Sequence, residues 1–168
     1  MPRFDRDFFA RPTLEVARDL LGQRLVFGEK SGLITETEAY IGENDPACHA
    51  AVGRTKRTET MYADAGTVYV YLIYGMYHCL NFVTERPDFP AAVLIRGLSV
   101  PQIDDKKLNG PGKLCRYLGV TTAQNGTDIT QNDLFYVEGT NLTPAFETTT
   151  RIGISKGTDK PWRFKAIF

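Results

Sequence analysis

Two glutamates spaced two residues apart, Glu36 and Glu38, could support acid–base catalysis. They lie in the segment 33–40, where the alternation predicts a strand with Ile34, Glu36, Glu38 and Tyr40 on one face. Carboxylates in this arrangement are about 6.5–7 Å apart. Inverting glycoside hydrolases use a similar separation, with one carboxylic acid donating a proton and one carboxylate activating water. The alternative is an edge strand that turns two non-catalytic glutamates toward solvent.

A second candidate group lies in an uncharged stretch long enough to approach the length of a membrane span. Its tyrosines, glycines and many β-branched residues instead indicate two buried strands, 67–74 and 78–84, joined by a turn. Three large side chains crowd that turn: Tyr74, Met76 and Tyr77. Turns are normally polar, so this one is either buried under a loop or inserts between stacked bases.

Composition excludes several classes of protein. The 168 residues are 42% hydrophobic and 24% charged, which is typical of a globular domain and not of a disordered chain. Twenty basic residues balance twenty acidic ones, so the net charge gives no sign of a nucleic-acid partner. Three cysteines without a CxxC pair and two histidines without ligand spacing disfavour a disulfide scaffold or a metal site. No P-loop, GxGxxG or GxSxG motif occurs.

The other segments predict short elements of both types. A helix is expected from an N-cap at Thr13 to Gly22, and a second helix after Pro111. Further strands are expected at 23–27, 33–40, 91–96, 134–138, 151–154 and 161–167. Without a visible linker or repeat, residues 1–168 are expected to form one α+β domain with a mostly antiparallel sheet. The charged start predicts no secretory signal, and hence an intracellular protein.

Several motifs occur together and in a consistent order. They are the stretches 35–42, 66–77, 80–81, 92–96, 108–115, 151–154 and 161–164, with Asp45 and His49 between the first two. In this combination, ETEAY followed by YGMY is the most specific pair. Together the motifs resemble the alkyladenine (3-methyladenine) DNA glycosylases of the mammalian-type fold, over nearly the whole chain from residue 4 to 165.

The resemblance implies a monofunctional enzyme that removes alkylated or deaminated purines from duplex DNA, without a metal or cofactor. It also implies a curved, mostly antiparallel sheet with short helices around it and a protruding β-hairpin. Glu38 would be the general base that activates water for attack on C1′. Arg96 would help to hold that water and the adjacent phosphate. Glu36 has no catalytic role in the family, so the carboxylate pair becomes the weaker hypothesis.

The same resemblance implies a pocket for a flipped base, because the glycosidic bond is inaccessible inside a duplex. Tyr40 and His49 would stack on one face of the base and Tyr71 on the other. Asn81 would occupy the space that the 2-amino group of a normal guanine needs. The residues expected to intercalate into the DNA or support that wedge are Tyr74, Met76 and Tyr77.

A neutral chain can still bind DNA through one basic face. The expected members of that face are the loop 54–57, Lys113, Arg116, Arg151, Lys156 and Arg163, and binding should weaken steeply with salt. The family commonly has an asparagine after the Lys56-Arg57 pair, where this chain continues Thr58-Glu59-Thr60. The loop that faces the lesion strand is therefore expected to be arranged differently.

Two other functions remain open at this point. One is a catalytically silent module of the same fold that binds damaged DNA or tRNA. The other is a hydrolase for free nucleosides or small glycosides that uses Glu36 and Glu38. The lesion preference is also open among 3-methyladenine, 7-methylguanine, hypoxanthine and ethenoadenine. We expect a monomer without membrane association, in the bacterial cytoplasm at the nucleoid, or in the nucleus of a eukaryote.

Overall fold

One antiparallel sheet of eight strands organises residues 2–168, the part of the chain that the computed structural model describes. The strands are β1 (Arg24–Phe27), β2 (Lys30–Ile41), β3 (Val68–Ile73), β4 (Tyr77–Val83), β5 (Ala91–Ser99), β6 (Phe135–Glu138), β7 (Ala145–Thr149) and β8 (Arg163–Ile167). Their order is β3-β4-β5-β2-β1-β6, and β8 joins β7 to β2. The predicted α+β class, with a curved antiparallel sheet and short helices, is confirmed.

Three short α-helices accompany the sheet within residues 2–168: α1 (Arg6–Phe9), α2 (Thr13–Asp19) and α3 (Pro111–Leu118). The predicted N-cap of α2 is wrong, because Pro12 holds that position and the Thr13 hydroxyl bonds to the Thr84 hydroxyl at 2.9 Å. Helix α3 begins at Pro111 and ends before Gly119, whose φ of 83° closes it in the left-handed region. No helix in this part of the chain is long and apolar enough to cross a bilayer.

Strand β2 is the centre of the sheet. One edge pairs with β5, and the other pairs first with β1 and then with β8, so the predicted alternative of a solvent-facing edge strand is wrong. The register is irregular at Glu36: Ile34 pairs with Leu98 and Thr37 pairs with Ile95, but between them Glu36 pairs with Gly97, so the pairing shifts by one residue and then returns. These bulges put Ile34 in the main core, on the face opposite Glu38, and thereby break the predicted alternation.

The chain between β7 and β8 differs most from the sequence prediction. Residues 151–154, expected to be a strand, form an irregular loop in which Gly153 has a φ of 74°. The strand is instead β7, at residues 145–149, and the first four of its five residues are exposed. An exposed edge strand lacks the buried alternate positions by which a strand is recognised in a sequence.

The β3–β4 hairpin forms as predicted and ends in an unusual turn. Tyr74 and Gly75 both adopt left-handed backbone, with φ of 52° and 67°, and the Met76 amide donates to the Ile73 carbonyl. The Tyr74 side chain is 88% exposed. Tyr77 leaves the turn toward α3, where it packs so closely on Gly112 that a Cβ there would lie 2.8 Å from the tyrosine ring.

A methyl group at residue 112 should therefore disturb the hairpin. Alanine favours a helix over glycine, so any loss in Gly112→Ala must come from displacing Tyr77. We expect Gly112→Ala to lower the free energy of unfolding by about 1–3 kcal/mol in chemical denaturation. The control is the same substitution in a Tyr77→Ala background, where no ring lies against residue 112 and Gly112→Ala should cost no stability. An equal loss in both backgrounds would contradict the packing of Tyr77 on α3.

Candidate active site

A cleft of about 770 Å³ opens beside the β3–β4 hairpin, between the exposed face of the central strands and the start of α3. Seven of the nine residues expected at a site line it: Tyr40, His49, Tyr71, Tyr74, Tyr77, Asn81 and Arg96. Glu38 lies beneath the cleft floor in contact with lining residues, and Met76 projects from the hairpin tip with 61% of its surface exposed. The nine residues therefore converge on one region although they come from four strands and two loops.

The Glu38 carboxylate is fully buried and held from two sides. Its Oε1 accepts a hydrogen bond from the Tyr40 hydroxyl at 2.9 Å, and its Oε2 accepts one from the Ile152 amide at 2.8 Å. The Arg96 Nε lies 3.8 Å from Oε2. Strand β2 points Glu38 and Tyr40 to the same face, and the bulge at Arg96 on β5 brings the guanidinium beside them.

These contacts act on the protonation of Glu38 in opposite directions. Burial raises its pKa above the ordinary value of 4.5, while Arg96, the Ile152 amide and the Tyr40 hydroxyl lower it, in that order. Burial dominates, so the carboxyl is a stronger base than one in water. Burial also raises the pKa of Tyr40 far above its usual value, so its hydroxyl remains a donor.

Glu36 does not share the cleft with Glu38. Its Oε2 accepts from Arg163 Nη2 at 2.8 Å, and both side chains are mostly buried outside the cleft lining. Arg163 also donates to the Thr149 hydroxyl. The carboxylate pair that the spacing suggested is thus divided into one carboxylate at the cleft and one that neutralises a neighbouring arginine.

Aromatic rings form the cleft wall. The centroids of His49 and Tyr71 are 4.1 Å apart, so no further ring fits between these two unless they separate. His49 Nδ1 lies 3.0 Å from the Tyr69 hydroxyl, and Tyr69 packs against Tyr71 at 5.4 Å. Burial, assisted by Arg57, lowers the pKa of His49 to about 4. The imidazole is therefore neutral at physiological pH.

Asn81 is fixed by its own strands. Its amide nitrogen donates to the Tyr69 and Cys79 carbonyls at 3.2 and 3.3 Å, and only 3% of the residue is exposed. With both amide hydrogens directed at the backbone, the side chain cannot turn away from an incoming ligand. A rigid group of this kind selects ligands by shape.

Positive charge surrounds the cleft mouth, but fewer residues contribute than predicted. Arg57, Arg96 and Lys113 line the cleft. The prediction that Arg151 and Arg163 belong to an exposed basic face is wrong, because Arg151 is fully buried against Asp45 and Arg163 is paired with Glu36. Residues 2–168 contain no group of three or more His, Cys, Asp or Glu placed to hold a metal ion.

The residues Thr58-Glu59-Thr60, where the sequence departs from the family pattern, form hydrogen bonds that hold their own loop. The Thr58 hydroxyl donates to the Gly53 carbonyl at 3.0 Å and accepts from the Thr55 amide at 2.8 Å. Glu59 accepts two hydrogen bonds from Arg54, which also pairs with Asp88. Thr60 accepts from the Asn125 amide at 3.1 Å. All three departing residues therefore stabilise the loop that carries Arg57.

The sequence did not reveal the donor on the far side of Glu38. The Ile152 amide comes from a stretch predicted to be a strand, whose amides would be used in pairing. The motif 151–154 indicates that this segment matters, but it does not indicate a contact made by the Ile152 backbone. The buried partner of Arg151, Asp45, was also part of a recognised motif without an assigned contact.

Comparison with known proteins identifies this arrangement. The family model described as methylpurine-DNA glycosylase matches residues 7–167. The chain belongs to the methylpurine-DNA glycosylase family. The expected relationship to the 3-methyladenine DNA glycosylases is thereby confirmed, and the family's activity makes the chain a DNA glycosylase that hydrolyses N-glycosyl bonds and acts on DNA.

Bacterial relatives similar to this chain are named after one methylated purine, 3-methyladenine. A protein of Rickettsia peacockii is 58% identical over 159 residues, which cover 95% of this chain and 87% of the relative, and is named "Putative 3-methyladenine DNA glycosylase". A protein of the same name from Sodalis glossinidius is 57% identical and covers 96% and 95% of the two chains. Another from Rickettsia bellii is 47% identical, with 95% and 90% covered.

The raised pKa of Glu38 predicts a cost to stability at neutral pH. The folded state retains a proton that the unfolded chain releases above about pH 4.5, so the free energy of unfolding falls as pH rises from there. Glu38→Gln lacks this penalty, and its amide can still accept from Ile152 and donate to Tyr40. We expect the variant to melt at a higher temperature than wild type at about pH 8, with the gap closing toward about pH 4.

Glu36→Gln is the matched control for this effect. It breaks the 2.8 Å ion pair with Arg163 and leaves that charge buried, so we expect a lower melting temperature at about pH 8. A wild type that is as stable as or more stable than Glu38→Gln at about pH 8 would contradict the burial cost at Glu38.

Proposed function

We propose that this chain is a monofunctional glycosylase for damaged purines, acting as a monomer on duplex DNA. It flips the damaged nucleotide into the cleft and hydrolyses the bond between the purine and C1′, leaving an abasic site. The observation that carries the proposal is the buried Glu38 carboxylate, held by Tyr40 and Ile152 directly beneath an aromatic cleft. An exposed aromatic residue at the cleft rim, Tyr74, supports the DNA-intercalating role.

In the proposed reaction, Glu38 removes a proton from a water molecule as the water oxygen forms a bond to C1′. The bond between C1′ and the purine nitrogen breaks, and its electron pair leaves with the base. A positioned general base of this kind contributes typically about 10²–10⁴-fold. Arg96 borders both the carboxylate and the cleft, so it can hold the water and the neighbouring phosphate.

The cleft walls favour a cationic purine. Alkylation gives the base a positive charge, which electron-rich rings attract and which weakens the glycosidic bond. Because His49 is neutral at physiological pH, it neither repels such a base nor supplies a proton. A neutral lesion such as hypoxanthine needs that proton as it leaves. We therefore propose that 3-methyladenine and 7-methylguanine are excised faster than hypoxanthine or ethenoadenine.

Selection against normal guanine falls to Asn81. Its side chain is fixed by two backbone carbonyls on the cleft wall, which supports a steric block against the 2-amino group. His49, Tyr71 and Tyr40 would receive the flipped base after the contact between the first two rings opens. Met76 and Tyr77 would support the Tyr74 wedge, the latter by its packing on α3.

Two alternative functions explain fewer of these features. A silent damage-binding module needs the aromatic cleft but not a buried carboxylate with a raised pKa. A hydrolase for free nucleosides leaves the exposed aromatic turn without a purpose, and its second carboxylate, Glu36, is occupied by Arg163. Activity on free nucleosides with none on duplex DNA would favour that hydrolase.

An excision assay tests the proposal. Duplexes with one deoxyinosine, one ethenoadenine or alkylated purines are incubated with the protein in EDTA and then cleaved by hot alkali at abasic sites. We expect a break at the lesion with wild type and at least about 10²-fold less with Glu38→Gln, because the general base is lost. Glu36→Gln, measured under saturating protein, is the control for a carboxylate outside the cleft.

Tight binding to these duplexes with no break at any lesion would contradict the proposed glycosylase activity. Such a result would favour the silent binding module. Full activity in Glu38→Gln would retain the glycosylase and remove Glu38 as its base.

The hairpin tip gives a second prediction. An aromatic ring that stacks in the gap is worth about 1–3 kcal/mol, so Tyr74→Ala should slow excision from duplex DNA about 10- to 100-fold. The same lesion in a single strand has no gap to fill and should be affected much less. Phe146→Ala, on the exposed β7 strand, is the control for losing a surface aromatic. An equal loss on both substrates would contradict intercalation.

A further inference from the structure

Arg151 and Asp45 form an ion pair in which both side chains are completely buried. The contact is bidentate: Nη1 donates to Oδ2 at 2.7 Å and Nη2 donates to Oδ1 at 2.9 Å. Removing two charges from water is expensive, and replacing such a pair with apolar residues is often neutral or stabilising. A contribution to stability is therefore a weak explanation for this buried ion pair. Its contacts indicate a different role.

The Arg151 guanidinium connects separate segments of the chain. Besides the carboxylate, it donates to the Ala39 carbonyl at 3.0 Å and to the Gly157 carbonyl at 3.3 Å. Its Cζ lies 4.8 Å from the centroid of the Tyr40 ring and 5.1 Å from the centroid of the Trp162 ring. Four hydrogen bonds and two ring contacts leave the side chain a single position, with one buried Nε unpaired.

Asp45 extends the same connection to the loop that carries His49. Its Oδ2 accepts from the Ile41 amide at 3.0 Å and its Oδ1 accepts from the Ala47 amide at 3.1 Å. The end of strand β2, the following loop and the loop after β7 are therefore joined through one guanidinium and one carboxylate. These are the segments that carry Tyr40, His49 and Ile152.

The ion pair is adjacent in sequence to both partners of the hydrogen bond between the Ile152 amide and the Glu38 carboxylate. Ala39, whose carbonyl it holds, follows Glu38, and Ile152, whose amide donates to Glu38, follows Arg151. Building on the proposed function, we propose that Arg151, locked by Asp45, is a positioning residue that aims the Ile152 amide at the Glu38 carboxylate. Arg151 does not line the cleft and acts through the neighbouring backbone.

The position of the Ile152 amide can be detected through the protonation of Glu38. This hydrogen bond lowers the pKa of Glu38, so a misplaced amide raises that pKa further. The other groups that face the carboxylate are Tyr40 on β2, Arg96 on β5 and Arg163 on β8. Of these, Tyr40 also contacts Arg151, so the variant that changes only the Ile152 amide separates the effect of the amide from that of Tyr40. A purely structural loss would leave the pH dependence where it is.

The test compares Arg151→Lys with Arg6→Lys in single-turnover excision across pH. Lysine keeps the charge but cannot form the bidentate contact and reach two carbonyls as well. Arg6 is the matched control, because it also bonds a carboxylate, Asp128, and a carbonyl, Ala65, away from the cleft. At saturating protein we expect Arg151→Lys to excise the lesion about 10- to 100-fold more slowly than wild type. The acid limb of its pH–rate profile should move to higher pH, and its affinity for lesion DNA should not change.

A second variant covers the case in which Arg151→Lys does not fold. Replacing Ile152 with its α-hydroxy analogue turns the amide into an ester, so that an oxygen stands in place of the N–H donor while every side chain is kept. We expect its acid limb to move to higher pH as well. An unmoved acid limb in the ester variant, or in a folded Arg151→Lys, would overturn the positioning role, and so would a wild-type rate in Arg151→Lys. Wild-type protein that excises no lesion would instead contradict the proposed function.

Discussion

A carboxylate removed from water is the constraint on which the site depends. Glu38 is fully buried, and a buried negative charge is tolerated only with donors and countercharges around it. Tyr40 and Ile152 each supply one hydrogen bond, and Arg96 supplies positive charge from the neighbouring strand. Burial still outweighs these contacts, so the carboxylate remains basic enough to accept a proton.

Meeting that constraint explains irregular features elsewhere. The bulges on β2 and β5 break the sheet register where Glu38 and Arg96 need to share a face, while Ile34 and Leu98 stay in the core. The loop after β7 gives up strand pairing so that the Ile152 amide can turn to the carboxylate. Arg163 adds a second, weaker countercharge, because it also pairs with Glu36 at 2.8 Å.

The hairpin tip follows a different principle. Tyr74 combines a left-handed backbone with 88% exposure, so it has conformational strain without the benefit of burial. Nothing in the packing of residues 2–168 requires a large aromatic there, whereas neighbouring Tyr77 is seated on Gly112. Strained, exposed positions of this type are typical of groups that contact a ligand.

The elements that can be predicted from the sequence are those with strong local patterns. The hairpin, helix α3 and the strand that carries Glu38 follow from β-branched alternation and from proline and glycine at helix ends. Bulges, the exposed strand β7 and the N-cap at Pro12 lack such signals. The sequence predicts Arg151 at the surface because its carboxylate partner, Asp45, is distant in sequence, and only the fold brings the two together.

The proposed role of the buried Glu38 carboxylate as the base in excision requires that its protonation controls the excision rate. The most direct measurement follows the ¹³C chemical shift of the Glu38 carboxyl across pH and compares its midpoint with the acid limb of single-turnover excision. We expect one shared midpoint above the ordinary glutamate pKa of 4.5. A carboxyl that titrates while the excision rate stays constant would contradict that role.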